Sequence, residues 1–188
     1  METLLHLSSA LGLGAACGFR IFVPIFALSL ASTLGYYMPP PDFAWLSSSF
    51  VAIALGLMMA FEMASYYIPF IDDFFDIVAT PAAIGAGIML TFAELDALNA
   101  ALRWLFAFVV GGGFAGAIQL GTVSLRRMPL ASTQRKTNFI VSTIELAGAA
   151  LLSLLAFSAP ILCLFAAMLS VGAAIWAMRR KKALPVMR

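Results

Sequence analysis

Charge is scarce in this sequence. Only 11% of its 188 residues are Asp, Glu, Lys or Arg and 63% are hydrophobic, whereas soluble domains carry roughly a quarter charged residues. So few charges cannot build a water-facing surface, which excludes an ordinary soluble domain. Histidine is scarcer still. The one histidine, His6, lies near the N-terminus, so no His-based triad and no HExxH zinc site can be built in the core. The two cysteines, Cys17 and Cys163, each sit inside an apolar run, where a thiol behaves as a small hydrophobe. They make neither a disulfide framework nor a zinc site. Phosphate-binding glycine patterns are missing too, since Gly111-Gly112-Gly113 falls inside an apolar segment rather than after a strand. Enzyme activity is therefore disfavoured and no cofactor is expected. The net charge of +2 is too small to argue for a nucleic-acid partner. Linker-like composition is also absent, so residues 1–188 read as one domain. Met1 to Ser9 lack the basic start of a secretory signal, and no small-residue cleavage site follows, so this stretch is expected to remain as the first helix.

Long apolar runs are what the sequence has instead. A bilayer core needs about 20 apolar residues per helix, which places spans at Leu4 to Tyr36, Trp45 to Ile68, Ile77 to Ala93, Ala100 to Val123, Thr137 to Phe157 and Pro160 to Met178. The expected class is an all-α membrane protein of about six transmembrane helices. The first span is too long for a straight crossing and contains Gly18, Arg20 and Pro24, so a break or strong tilt is expected there. Arg126, Arg127, Arg135 and Lys136 lie between the fourth and fifth spans, and Arg179, Arg180, Lys181 and Lys182 follow the sixth. Both clusters are expected to face the cytoplasm. Counting crossings backwards puts the N-terminus there as well. The Pro39-Pro40-Pro41-Asp42 segment and the acidic turn Glu94 to Asn99 fall on the opposite side. With three crossings each, residues 1–96 and 97–188 would be inverted halves, an arrangement common in transporters. Gly14 and Gly18, and Gly112 and Gly116, have the small-xxx-small spacing that lets helices approach closely. Plain helix packing is the weightier reading of these glycines, and the same faces permit a homodimer.

Ionisable groups in hydrocarbon cost about 2.5–3.5 kcal/mol each, so those inside spans normally face a partner or a wet cavity. Arg20 is expected near mid-depth of the broken first span, with Glu62 and Glu145 in the inner halves of the second and fifth. One reading is a buried ion pair that only fixes packing. The other has a carboxylate bind a cation or proton while Arg20 serves as counter-charge or anion ligand. A second constellation runs from Tyr66 through Pro69, Asp72, Asp73 and Asp76 to Thr80-Pro81. Its three acids alternate with aromatics on the expected cytoplasmic side, which suits a short re-entrant or interfacial segment. Asp72 or Asp73 with Asp76 has helical spacing, so two carboxylates could face one cavity and take a hard cation. The plainer reading is an acidic loop or cap. Thirdly, Thr137 and Asn138 could cap the fifth span, or supply oxygens near Glu145 together with Ser142 and Thr143. Gln119 is a further polar group for the same interior.

The run Gly18-Phe19-Arg20-Ile21-Phe22-Val23-Pro24, and Tyr67-Ile68-Pro69 through Asp72, Asp76 and Ala79-Thr80-Pro81, resemble the bacterial domain of unknown function 4126 (DUF4126) family. Ala131-Ser132-Thr133 and Thr143 to Gly148 resemble its later motif, and the likeness extends over nearly the whole chain. The sequence departs from the family pattern at Asn138-Phe139, where that pattern has Asn-Pro. The resemblance implies a small multi-helix protein of the bacterial inner membrane and brings no activity with it. From the residues themselves, the leading expectation is a small secondary transporter or channel-like permease for a small ion or solute. Its site would lie near Arg20, Glu62 and Glu145, with Asp72, Asp73 and Asp76 at its cytoplasmic mouth. The alternatives are a non-transporting scaffold or assembly subunit, and a lipid-handling protein whose Arg20 binds a headgroup phosphate. Membrane lipids are the expected surroundings in each case.

Overall fold

The computed structural model describes the backbone of residues 2–65, 69–126 and 134–183, and the side chains of residues 3–65, 78–125 and 141–180. The described chain forms helices α1 (Glu2–Phe19), α2 (Phe22–Thr33), α3 (Ser49–Ser65), α4 (Pro69–Glu94), α5 (Ala100–Phe106), α6 (Gly113–Arg126), α7 (Gln134–Ser158) and α8 (Pro160–Ala183). A 3-10 stretch, Pro41–Ser47, precedes α3, and a π-helical turn, Ala107–Gly112, joins α5 to α6. No strand occurs among the described residues, as the all-α class requires.

Pro24 explains where the first helix stops. In a continuous helix residue 24 would donate to the Arg20 carbonyl, but proline has no N–H and its ring collides with that carbonyl. The last bond of α1 runs from the Arg20 amide to the Ala16 carbonyl at 3.1 Å, and α2 starts two residues later. Here the chain does more than tilt. Arg20 lies beside Ser142 of α7, whereas the far ends of α1 and α2 both lie at the other end of α7. Ser9 Oγ donates to the Ala156 carbonyl at 2.7 Å, and the Tyr37 ring sits edge-on to Phe157 at 6.2 Å. Ser142 and Ala156 are about 21 Å apart along a helix. The chain thus runs that length along α1 and returns along α2, a hairpin with its vertex at Arg20-Ile21. The middle of the long apolar run is therefore its deepest point from one end, not its half-way mark.

The remaining helices alternate around this hairpin. Ser29 Oγ donates to the Leu46 carbonyl at 2.7 Å and Glu62 meets Ile21, so α3 runs antiparallel to α2. Thr91 Oγ1 donates to the Ala10 carbonyl at 3.1 Å, which docks α4 antiparallel to α1. The expected interfacial segment around Asp72 is instead the first turns of α4, which continues through Pro81 for 26 residues. Pro69 costs nothing at the first helical position, where its missing N–H would have no partner. Pro81 removes one bond, and packing of α4 along α1 and the π-helical turn carries the helix past it.

Glycine sets the spacing at the centre. A methyl group on Gly18 would lie 2.5 Å from the Ala115 carbonyl oxygen, one on Gly14 would lie 3.0 Å from Gly111 Cα, and one on Gly87 would lie 2.6 Å from the Gly111 oxygen. Gly112 and Gly116 face Ile84 and Ile88 of α4. Both small-xxx-small pairs thus serve helix packing within the chain. On the outside the polarity is that of a core: Phe50, Ile53 and Leu57 line one exposed stripe of α3, and Leu162, Phe165 and Leu169 one of α8. Segments Ala100–Leu125, Val141–Ser158 and Pro160–Arg180 are long and apolar enough to cross a membrane, matching three of the expected spans. Pro41–Ser47 with Ser49–Ser65 makes a fourth if this pair, bent by 73°, counts as one span. The apolar helices Thr3–Phe19, Phe22–Thr33 and Val78–Glu94 are shorter.

Gly18→Ala should destabilise the protein by about 1–3 kcal/mol, because backbone rather than a movable side chain blocks the added methyl. Gly85→Ala, where nothing lies within 4 Å, should be neutral or stabilise by up to about 1 kcal/mol. Thermal unfolding of the two variants in detergent separates these outcomes.

Candidate functional site

Two amides exposed by the helix break need acceptors. Ile21 is the residue preceding the first turn of α2, and its hydrocarbon side chain cannot cap it. Glu62, brought in by α3, takes that role. One carboxylate oxygen accepts the Ile21 N–H at 2.9 Å and the other accepts the Phe22 N–H at 3.1 Å. Glu62 is 3% exposed, so its charge is compensated by those two amides, by the positive end of α2 and by nearby Arg20. Ser65 Oγ donates to the Glu62 carbonyl at 2.7 Å and tightens the end of α3.

Arg20, 1% exposed, points from the same vertex toward α7. Its Nη2 lies 3.3 Å from Glu145 Oε2, itself on a residue 1% exposed. Nη2 also donates to the Ser142 carbonyl at 3.1 Å and to the Ser142 hydroxyl. One arginine therefore stands between two buried carboxylates, and the excess negative charge faces a helix N-terminus worth roughly half a unit of positive charge. The arrangement can hold or exchange a proton or cation and can orient an anion; it offers no activated nucleophile. Its depth differs from expectation. Arg20 is level with Ser142, in the first turn of the apolar stretch Val141–Ser158, so it sits at the edge of the apolar layer rather than at mid-depth.

Arg20, Glu62 and Glu145 are thus brought together. Asp72, Asp73 and Asp76 occupy the first turns of α4 and Asn138 the second turn of α7, but their side chains lie outside the described residues. Since α7 begins at Gln134, Thr137 and Asn138 are inside the helix and not at its cap. Gln119 is 2% exposed, and its Nε2 has no hydrogen-bond partner among the described residues. It lies one turn beyond Ala115, which touches Gly18, so it shares the depth of the vertex.

A second polar cluster at the opposite end escaped the sequence reading. The Tyr37 hydroxyl donates to the Glu94 carboxylate, and burial together with the Glu94 and Asp96 charges pushes the phenol above its usual range. Tyr37 therefore stays a neutral donor. Arg103 donates through Nε to the Phe92 carbonyl at 2.6 Å and covers the Phe92 ring at 3.8 Å. Glu94 and Tyr37 are recognisable in the sequence as turn and interface residues; that they turn inward is not.

The family model described as Domain of unknown function (DUF4126) matches residues 7–180. The chain belongs to the DUF4126 family. No curated protein and no solved structure gives a match. In this DUF4126 chain the run Gly18 to Pro24 holds three distinct physical jobs: Gly18 admits α6, Arg20 reaches α7, and Pro24 forces the reversal.

Removing one partner of the buried pair should cost about 3–5 kcal/mol, because the other charge is stranded. Arg20→Met and Glu145→Leu should each show this loss. Their combination should be less destabilised than either single variant, read by a double-mutant cycle on thermal or denaturant unfolding. Glu62→Ala should cost about 1.5–3 kcal/mol through the two lost charge-assisted bonds, with Glu62→Gln costing less.

Proposed function

We propose that this DUF4126 chain is a small integral-membrane permease for a small ion or solute, coupled to a cation or proton, whose inner site is the Arg20–Glu145–Glu62 cluster. The carrying observation is a helix reversal in an apolar bundle with an arginine and two carboxylates buried at its vertex. Well-packed hydrophobic side chains of similar volume usually stabilise as well as a buried ion pair or better, so stability alone does not account for these groups. Helix breaks that present an N-terminus and charged side chains inside the membrane are a recurrent way for transporters to build ion and substrate sites.

The positive-inside rule supports an orientation. Arg126, Arg179 and Arg180 end α6 and α8 on the side of Arg20, so that end faces the cytoplasm in this reading, in the bacterial inner membrane. The reversal at Arg20 then places the N-terminus on the outer side and the C-terminus inside, in place of two cytoplasmic termini. Residues 1–96 hold an even number of alternating helices in this scheme, so the two halves are parallel in direction rather than inverted. The six expected spans become seven passes, two of them the arms of the hairpin.

A scaffold or assembly role is the second reading. It is favoured by Glu62, whose two oxygens are both committed to backbone amides, as a packing lock would require.

Proteoliposomes holding the purified protein and tested against a panel of sodium, potassium, ammonium and proton gradients should show flux above protein-free vesicles. Arg20→Ala, checked for a folded thermal transition, should lower it at least tenfold. Folded wild-type protein without flux of any panel member would leave the scaffold. Topology is tested separately: with Cys17 and Cys163 replaced, an impermeant maleimide on intact cells should label Thr3→Cys and not Ala183→Cys.

A further inference from the structure

The end of the bundle remote from Arg20 holds a carboxylate that lacks one of its partners. Glu94 ends α4 and is 6% exposed. The Tyr37 hydroxyl serves one side of it, while Oε1 is buried with no hydrogen-bond partner among the described residues. Buried carboxylate oxygens are almost always satisfied, and one that is not calls for an explanation such as an ion. No described Lys or Arg nitrogen comes within ion-pair distance of Glu94, the sole such pair among described side chains being Arg20 with Glu145. Arg103, the nearest candidate in the chain, is already turned onto the Phe92 carbonyl and ring.

The surroundings are those of a cation site and not of a dry packing pair. His6 from α1, Asp96 from the turn after α4 and Tyr37 from the segment after α2 act electrostatically on Glu94, and Arg103 of α5 acts on Tyr37. Two carboxylates and a phenol oxygen outweigh one arginine that is engaged elsewhere. Tyr37, held neutral, keeps its oxygen lone pairs available while its proton points at Glu94. Carboxylate and phenol oxygens are hard donors, suited to an alkali cation or to the N–H groups of a small ammonium.

We propose that Glu94 and Tyr37 form a binding site for a small monovalent cation, an alkali ion or a primary ammonium, where the ends of α1, α2 and α4 meet. The site is distinct from the Arg20 cluster, about 20 Å away along the helices, and does not depend on the permease reading, because occupancy is measurable without transport. Its ligand bridges the post-α2 segment to the end of α4 and so should stabilise the fold.

The test is thermal unfolding of the full chain in detergent at fixed pH and ionic strength, with sodium, potassium or methylammonium chloride replacing choline chloride, whose quaternary nitrogen is bulky and carries no N–H. At least one of the three should raise the midpoint saturably, by about 2–4 °C or more. A response to sodium or potassium identifies a bare alkali ion, and a response to methylammonium alone identifies an amine. Glu94→Gln should abolish the shift and Tyr37→Phe should reduce it by half or more. Asp42→Asn, an exposed acid in the 3-10 stretch that leads into α3, should leave it intact. No response beyond choline in the wild type, or an undiminished one in Glu94→Gln, overturns the proposal. Should Glu94→Gln fail to fold, an undiminished response in Tyr37→Phe overturns it equally.

Discussion

The amides of Ile21 and Phe22 would be left without acceptors in an apolar interior were it not for Glu62. Each unmet group of that kind costs several kcal/mol where water is excluded, and Pro24 makes a break at this point unavoidable. A glutamate from α3, remote in sequence, therefore sets the geometry of the whole N-terminal half. Its two bonds fix α2 against α3, and the reversal they permit holds α1 where it can meet α4, α6, α7 and α8.

Arg20 follows from the same constraint. At the tip of a hairpin, a long guanidinium side chain has helices on every side and no water, so it must find its counter-charge across the bundle. Glu145 and Ser142 supply it. Cap and ion pair are thus coupled through the two residues of the vertex, and loosening one loosens the other. Glycine makes the coupling tight, since Gly14 and Gly18 bring α1 into backbone contact with the π-helical turn and α6. Ridges of larger side chains would hold these helices 8–10 Å apart.

Charge in this protein is accordingly concentrated at two levels. One lies at the vertex, where every described partner is a charge or a backbone group. The other lies at the far end, where Glu94 is enclosed by Tyr37 and neighbouring ionisable groups from four segments of the chain. Between them run small apolar residues of α1, Ala10, Leu13, Ala15 and Ala16, all fully buried. Such packing leaves little room between the two ends, so exchange between them would require α1 to part from α4 and α6.

Hydropathy by itself determined the all-helical class, three of the spans, and the pairing of Arg20, Glu62 and Glu145 as buried charges, because burying charge in a uniformly apolar stretch is too costly to be incidental. It also located the break, since Pro24 forbids a helix through Arg20 whatever the fold. Direction was a different matter. A broken helix can tilt onward or turn back with the same local sequence, and only the tertiary contacts of Ser9, Tyr37 and Glu62 chose the return. The same holds for Glu94: a turn acid and a buried one look alike in sequence, and what encloses Glu94 is the proximity of α1, α4 and the end of α2. The DUF4126 motif thus states which residues are needed at the vertex, while the packing of distant helices decides which way the chain leaves it.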